Sequence, residues 1–279
     1  MRADRSYCLV VALLLQAASA GAENPTAQIR ELSLGSVSMD IPAVMHQRLK
    51  PLAAYLAQEL ARPVNLRLSA GTAKVVSEIA AENVDIAYFS PVAYVNAHAA
   101  CDVRVLAKTV TRGQQTFRLM LVTRYDSGIR SVQELAGKRF AFGDEAAILQ
   151  RAVLVNAGIR MEALGSYRFL GHFDNIARGV ANGDFDAGIL KDTTAFQWEN
   201  KGLRIIHTST RLPPYNIAVG RQVDEATGRA IQAALLRLNP ADPEHRKVIT
   251  ALDENYDGFV AADDADYNVV RKLIRPFQN

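Results

Sequence analysis

An α/β protein built as two lobes is what this 279-residue chain predicts, and three observations carry that expectation. Segments with strand and helix periodicity alternate along most of its length, as they do where helices pack on sheets. A unit of amphipathic helix, polar turn and short apolar strand is written twice, at residues 75–90 and 175–190, with an Asp entering each strand (Asp85, Asp186). Beyond each strand stand polar or aromatic groups: Tyr88, Phe89 and Ser90 in the first copy, Lys191 and Asp192 in the second. Open α/β sheets bind ligands beyond the carboxyl ends of their strands, so the two units are expected to face a common cleft.

The elements follow in order. Arg2 and Arg5 precede an apolar run at residues 8–15 and small residues at 18–22, the pattern of a cleavable secretory signal over residues 1–22. The run is too short to span a bilayer. A soluble, periplasmic protein with about 255 residues is expected, enough for a sizeable core. Residues 31–37 alternate as a strand, and Val44, Leu49, Leu52, Leu56 and Leu60 recur at helical spacing before Arg62-Pro63 stops the helix. A strand at 64–68 leads into the first repeated unit, after which Ser90-Pro91 opens another helix. Strands are expected at 103–110 and 117–124, a capped helix from Ser131 to Gly137, and a strand at 139–142. Gly143-Asp144 turns into a helix at 146–157, followed by a strand at 167–170, the second unit, and strands at 203–208 and 215–219. The tail reads as helical, at 226–238, 244–252 and 267–274. The spacing implies largely parallel sheets.

Composition excludes several classes. The formal net charge is +3 with no basic run, which argues against nucleic acid. Of the two cysteines, Cys8 lies in the signal, so Cys101 has no partner for an internal disulfide. His46, His98, His207 and His245 show no ligand spacing, and no metal or other cofactor is expected. No Ser/His/Asp or Cys/His set assembles from facing strand ends, so an enzyme is not expected.

The pieces at residues 84–91 (VDIAYFSP), 126–129 (DSGI), 135–144 (LAGKRFAFGD), 171–172 (GH), 184–188 (DFDAG) and 257–260 (DGFV) together resemble the phosphate/phosphite/phosphonate-binding proteins of ABC importers. The resemblance spans residues 32–273. It implies a type II periplasmic binding protein fold, two lobes each with a mostly parallel sheet flanked by helices, joined by two crossing strands. The crossings are expected near 111–116 and 209–215, giving lobe 1 from 23–112 and 212–279 and lobe 2 from 113–211. It also implies a function: closure on a small phosphate- or phosphonate-like anion and delivery to the membrane permease of an ABC importer, by a monomer. A module of the same fold reporting to a membrane sensor kinase is the alternative.

The resemblance maps a site onto Thr72, Phe89, Ser90, Asp144, Glu145, Ala146, Ala147, His172 and Lys191. This chain departs from the family pattern at its anion loop, where Glu145-Ala146-Ala147-Ile148 replaces a Ser-Thr-Ser run, leaving helix amides but no hydroxyls and adding a carboxylate. A non-phosphorus solute is therefore a further alternative. His172 is read as the family's pocket histidine, against a turn histidine that caps the next helix. Asp174-Asn175 is expected to cap a helix starting at Ile176, and Ser90 to cap more than bind. Lys191-Asp192 either contacts ligand or caps the following helix. Strand alternation allows only one of Tyr88 and Phe89 to face the cleft, and Phe89 is the expected one.

Overall fold

The computed structural model describes residues 30–36, 42–68, 72–144 and 148–277. Eleven strands among these residues form two sheets. The first holds β1 (Leu32–Ser36), β2 (Val64–Leu68), β3 (Ile86–Phe89), β4 (Arg104–Thr111), β10 (Asn216–Val219) and β11 (Tyr256–Ala261), in the order β11-β4-β10-β3-β1-β2. The second holds β5 (Leu119–Arg124), β6 (Arg139–Phe142), β7 (Ser166–Phe169), β8 (Ala187–Lys191) and β9 (Leu203–Thr208), in the order β7-β6-β8-β5-β9. The chain passes from the first sheet to the second through residues 112–118 and returns through 209–215. These two crossings bond to each other. Phe117 N–H donates to Leu212 O at 2.9 Å, and Leu212 N–H to Phe117 O at 2.8 Å.

The expected α/β fold with two sheets and two crossings is present, but the pairing is mixed rather than largely parallel. Only β1 with β2 and β3, and β6 with β7 and β8, pair in parallel. The strand that receives the chain after each crossing, β5 or β10, runs against both neighbours. The reason is geometric: β4 ends at the edge where the crossings lie, so β5 enters its sheet from that edge and must run away from it. β10 repeats this on the return. The tail, expected to be mainly helical, also holds a strand, β11, between its second and third helices. Its register on β4 shifts between Tyr256 and Gly258, which breaks the alternation a strand would show in sequence.

Helices α1 (Pro42–Glu59), α2 (Thr72–Ala80), α3 (Pro91–Cys101), α4 (Ile148–Asn156), α5 (Phe173–Ala181), α6 (Asp192–Glu199), α7 (Glu225–Arg237), α8 (Pro243–Leu252) and α9 (Asn268–Ile274) cover the sheets. The helix expected from Ser131 is one 3-10 turn, Gln133–Leu135, with the Glu134 carboxylate accepting from Ser131 N–H at 3.0 Å. One apolar core lies between α1, α7, α8 and the first sheet, around Leu34, Leu49, Tyr88 and Ile231. A second joins α3, α4 and α9 across Tyr94, Phe142, Val153 and Tyr267, so the C-terminal helix packs on elements of both sheets.

The repeated Asp has one task in both copies. Asp85 Oδ2 accepts from the backbone N–H and the hydroxyl of Ser33, each at 2.9 Å. Asp186 Oδ2 accepts from Arg139 N–H at 2.8 Å, and its Oδ1 from the Arg139 guanidinium at 2.8 Å. Each carboxylate thus satisfies a backbone donor at or beside the start of the neighbouring parallel strand. It sits at the amino edge of the sheet, opposite the carboxyl ends of the parallel strands. Arg139 holds the Asp186 carboxyl below the usual carboxylate value, with burial opposing.

Candidate functional site

A cleft of approximately 940 Å³ lies along the carboxyl ends of β3, β6, β7 and β8. Four strand-to-helix turns line it. Ser90 closes the first, capping α3 by accepting from Ala93 N–H at 3.3 Å, and the residue also lines the cleft. Asp144 stands after β6, exposed and cleft-lining. Gly171 turns the chain after β7 at φ +77°, a conformation that favours glycine, and His172 follows.

His172 is the N-cap residue of α5 by position, yet its side chain makes no capping hydrogen bond. The ring is exposed and lines the cleft. Because the helix begins at Phe173, the expected cap at Asp174-Asn175 moves three residues earlier. Asn175 instead donates from Nδ2 to Leu170 O at 2.9 Å.

Of the Lys191-Asp192 pair, the aspartate is bonded within the fold and the lysine lines the cleft. Asp192 Oδ1 accepts from Thr193 N–H and Oδ2 from Arg118 N–H, both at 2.9 Å, which ties its carboxylate to the start of α6 and to the crossing. Lys191 is half-buried at the end of β8, its ammonium 5.6 Å from the centre of the Phe117 ring. Burial pushes its pKa below the ordinary lysine value, against the pull of Asp253 and Asp192, and Arg112 adds to the depression. Extending the β6 to β8 register from Ala141↔Gly188 sets Asp144 level with Lys191.

The opposite wall comes from the first sheet and its helices: Arg48, Pro214, Tyr215, and residues 250–256 between α8 and β11. Tyr215 stacks on Tyr88 with ring centres 5.3 Å apart, and the Tyr88 and Tyr256 hydroxyls are 2.9 Å apart. Burial, then the charges of Asp144 and Asp253, push Tyr215 up to about 12. The cleft therefore carries cations at Arg48 and Lys191, the imidazole of His172, and carboxylates at Asp144, Asp174, Asp253 and Glu254.

The structure corrects one expected site residue. Phe89 is fully buried among Val75, Tyr94 and Tyr267 in the core under α3 and does not line the cleft. Alternation sends Tyr88, not Phe89, toward the Tyr215 side. Thr72 begins α2, with its side chain outside the described residues, and Glu145, Ala146 and Ala147 also lie outside them. Sequence reasoning missed Tyr215, Asp253 and Gln150. Tyr215 was marked only by its place at the end of the second crossing, and Gln150 only by being a polar residue in the first turn of α4. No group of described residues has the makings of a metal site, and no described helix is long and apolar enough to cross a membrane.

Known proteins share this architecture. The structure of PhnD1 from Prochlorococcus marinus (MIT 9301) in complex with methylphosphonate is similar at a TM-score of 0.70 and 19% identity, over 88% of this chain and 97% of that one. XAC2383 from Xanthomonas citri, bound to chloride ion, is similar at a TM-score of 0.74 and 21% identity, over 88% and 97%. In sequence, the phosphate-import protein PhnD of Mycolicibacterium smegmatis is 26% identical over 202 residues, 64% of this chain and 62% of that protein, less than two thirds of its length. The family model described as ABC transporter, phosphonate, periplasmic substrate-binding protein matches residues 34–267, most of the chain and both sheets. This chain belongs to that family, whose members are binding proteins rather than enzymes.

Proposed function

We propose that this protein is exported to the periplasm through a signal at residues 1–22, closes two lobes on a small oxyanion of the phosphate and phosphonate class, and presents it as a monomer to the permease of an ABC importer. Lobe 1 is 23–112 with 212–279, and lobe 2 is 113–211, so the paired crossings form the hinge. The observation that carries the reading is Lys191: a half-buried ammonium at a strand end facing the cleft, resting on an aromatic ring and in no ion pair with a described residue. An oxyanion supplies the missing counter-charge and restores the hydrogen bonds the ammonium gave up on burial. His172 and the amino terminus of α5 add donors from the adjacent turn.

The test is a thermal-shift panel over phosphate, phosphite, methylphosphonate, sulfate and acetate. A ligand held only by the native state raises the melting temperature by mass action, and the phosphorus oxyanions should do so at micromolar to millimolar concentration. A panel in which only sulfate or acetate stabilises would replace the ligand class.

A further inference from the structure

Gln150 lies in the first turn of α4, is 6% exposed, and lines the cleft wall below Asp144 in sequence. Its Oε1 accepts from Gly143 N–H at 2.8 Å. A backbone N–H only donates, so this bond decides which end of the carboxamide is which: the oxygen takes the Gly143 N–H, and Nε2 keeps its two donors. The fit depends on glycine, because a Cβ at Gly143 would stand 2.7 Å from Nε2. The same glycine ties in the next turn, since Gly171 N–H donates to Gly143 O at 2.8 Å. Among the described residues nothing accepts from Nε2. The side chain is nine-tenths buried, yet Nε2 keeps contact with solvent, so its donors are met by water or by a ligand in the cleft. They stand in the wall that also holds the start of α5, a nine-residue helix whose N-cap side chain leaves the first-turn amides uncapped.

We propose that Gln150 Nε2 is a ligand-contacting donor that, with the amino terminus of α5, holds an unprotonated oxygen of the oxyanion, supplying from α4 the neutral donors that the residues at 145–147 lack in this chain. The assignment rests on the oxyanion reading above. It also gives a selection rule: the amide offers hydrogen atoms and no lone pair on this side, so it favours a deprotonated oxygen over a hydroxyl or an ammonium.

Gln150→Glu is the informative variant. One carboxylate oxygen can still accept from Gly143 N–H, while the other puts an acceptor where the donor stood, in a wall that already carries Asp144 and Asp174. Calorimetry with methylphosphonate and with inorganic phosphate should show the folded variant binding at least about thirtyfold more weakly than the wild type, the scale of exchanging a charged hydrogen bond for a repulsion. Side-chain ¹⁵N-glutamine spectra of the wild-type protein supply a readout that survives a misfolded variant. The Gln150 amide resonance, adjacent to Gly143, should move on titration with methylphosphonate. Wild-type binding together with a variant within about threefold, or a Gln150 resonance unmoved at saturation, overturns the assignment alone. Failure of the wild type to bind either probe overturns the oxyanion reading itself.

Discussion

Lys191→Met should separate ligand binding from stability, because the two respond to the same ammonium with opposite sign. Methionine keeps an unbranched apolar stem over Phe117 and removes only the charge that lies 5.6 Å from that ring. A hydrogen bond from a charged donor to a phosphonate oxygen contributes about 1.5–3 kcal/mol, so affinity for methylphosphonate should fall about 12- to 150-fold at about 1.4 kcal/mol per decade. In the unliganded protein the substitution gives up a cation–π contact of about 0.5–1 kcal/mol and relieves the burial of a charge. The sign of the second effect follows from linkage. Burial depresses the folded-state value of Lys191, so the charged form weakens the native state at every pH below that folded value, and the weakening fades as pH rises to the unfolded value near the ordinary 10.5. Unliganded Lys191→Met should accordingly melt level with or above the wild type at neutral pH, and any advantage should vanish above about pH 10.4. Calorimetry for affinity and denaturation scans at pH 7 and pH 10.5 measure both quantities. A variant that melts several degrees lower at pH 7 and binds as tightly as the wild type would refute the argument, since Lys191 would then be a structural charge.

Three other outcomes are expected. Phe89→Ala should cost about 3–5 kcal/mol in urea unfolding, as an emptied aromatic site does, while affinity for methylphosphonate in the folded fraction stays unchanged; weakened binding at near-normal stability would return Phe89 to the cleft. Asp186→Asn should destabilise by about 1–2 kcal/mol at neutral pH, and because the carboxyl is held below 3.8 the difference from wild type should shrink as pH falls through that depressed value; a difference that persists unchanged in acid would mean the Arg139 contact contributes nothing. Intact-mass measurement of the periplasmic form should give a chain starting at Gly21 or Glu23, and detection of Met1 in that fraction would remove the export signal.

The architecture was legible because its determinants are local. The helix–turn–strand unit repeats with its Asp, and Ser90-Pro91 and Gly143-Asp144 mark turns that do stand at strand ends. What escaped the sequence depends on contacts between distant segments. The direction of β5 and β10 is set by where the crossings lie, which no periodicity reports. β11 was hidden because a register shift puts Asp257 and Gly258 into the strand. Phe89 and Tyr88 alternate as expected, yet neither lines the cleft: both are buried, and Tyr88 is covered by the rings of Tyr215 and Tyr256, about 130 and 170 residues away, which reach the same sheet face. Gln150 escaped for a related reason: its role comes from a bond seven residues back to a glycine at the end of another element.

The two edges of each sheet do different work, and this explains which polar residues are bonded within the fold and which keep their donors toward the cleft. At the amino edge, Asp85 and Asp186 meet backbone donors of Ser33 and Arg139 at 2.8–2.9 Å, so their acceptors are used within the fold. At the carboxyl edge, Lys191 rests on a ring, the His172 side chain caps nothing, and the Gln150 amide spends its oxygen on Gly143 while keeping its donors. Parallel pairing of β6 with β7 and β8 forces all three of these ends to the same side. The antiparallel entry of β5 and β10 then keeps both crossings at that side too, so the crossings lie beside the donors rather than behind the sheets. A ligand that engages donors of the second sheet and Tyr215 or Arg48 of the opposite wall would therefore bridge the two walls beside residues 112–118 and 209–215, and any closing rotation there would have to shear the core that α3, α4 and α9 share across both sheets.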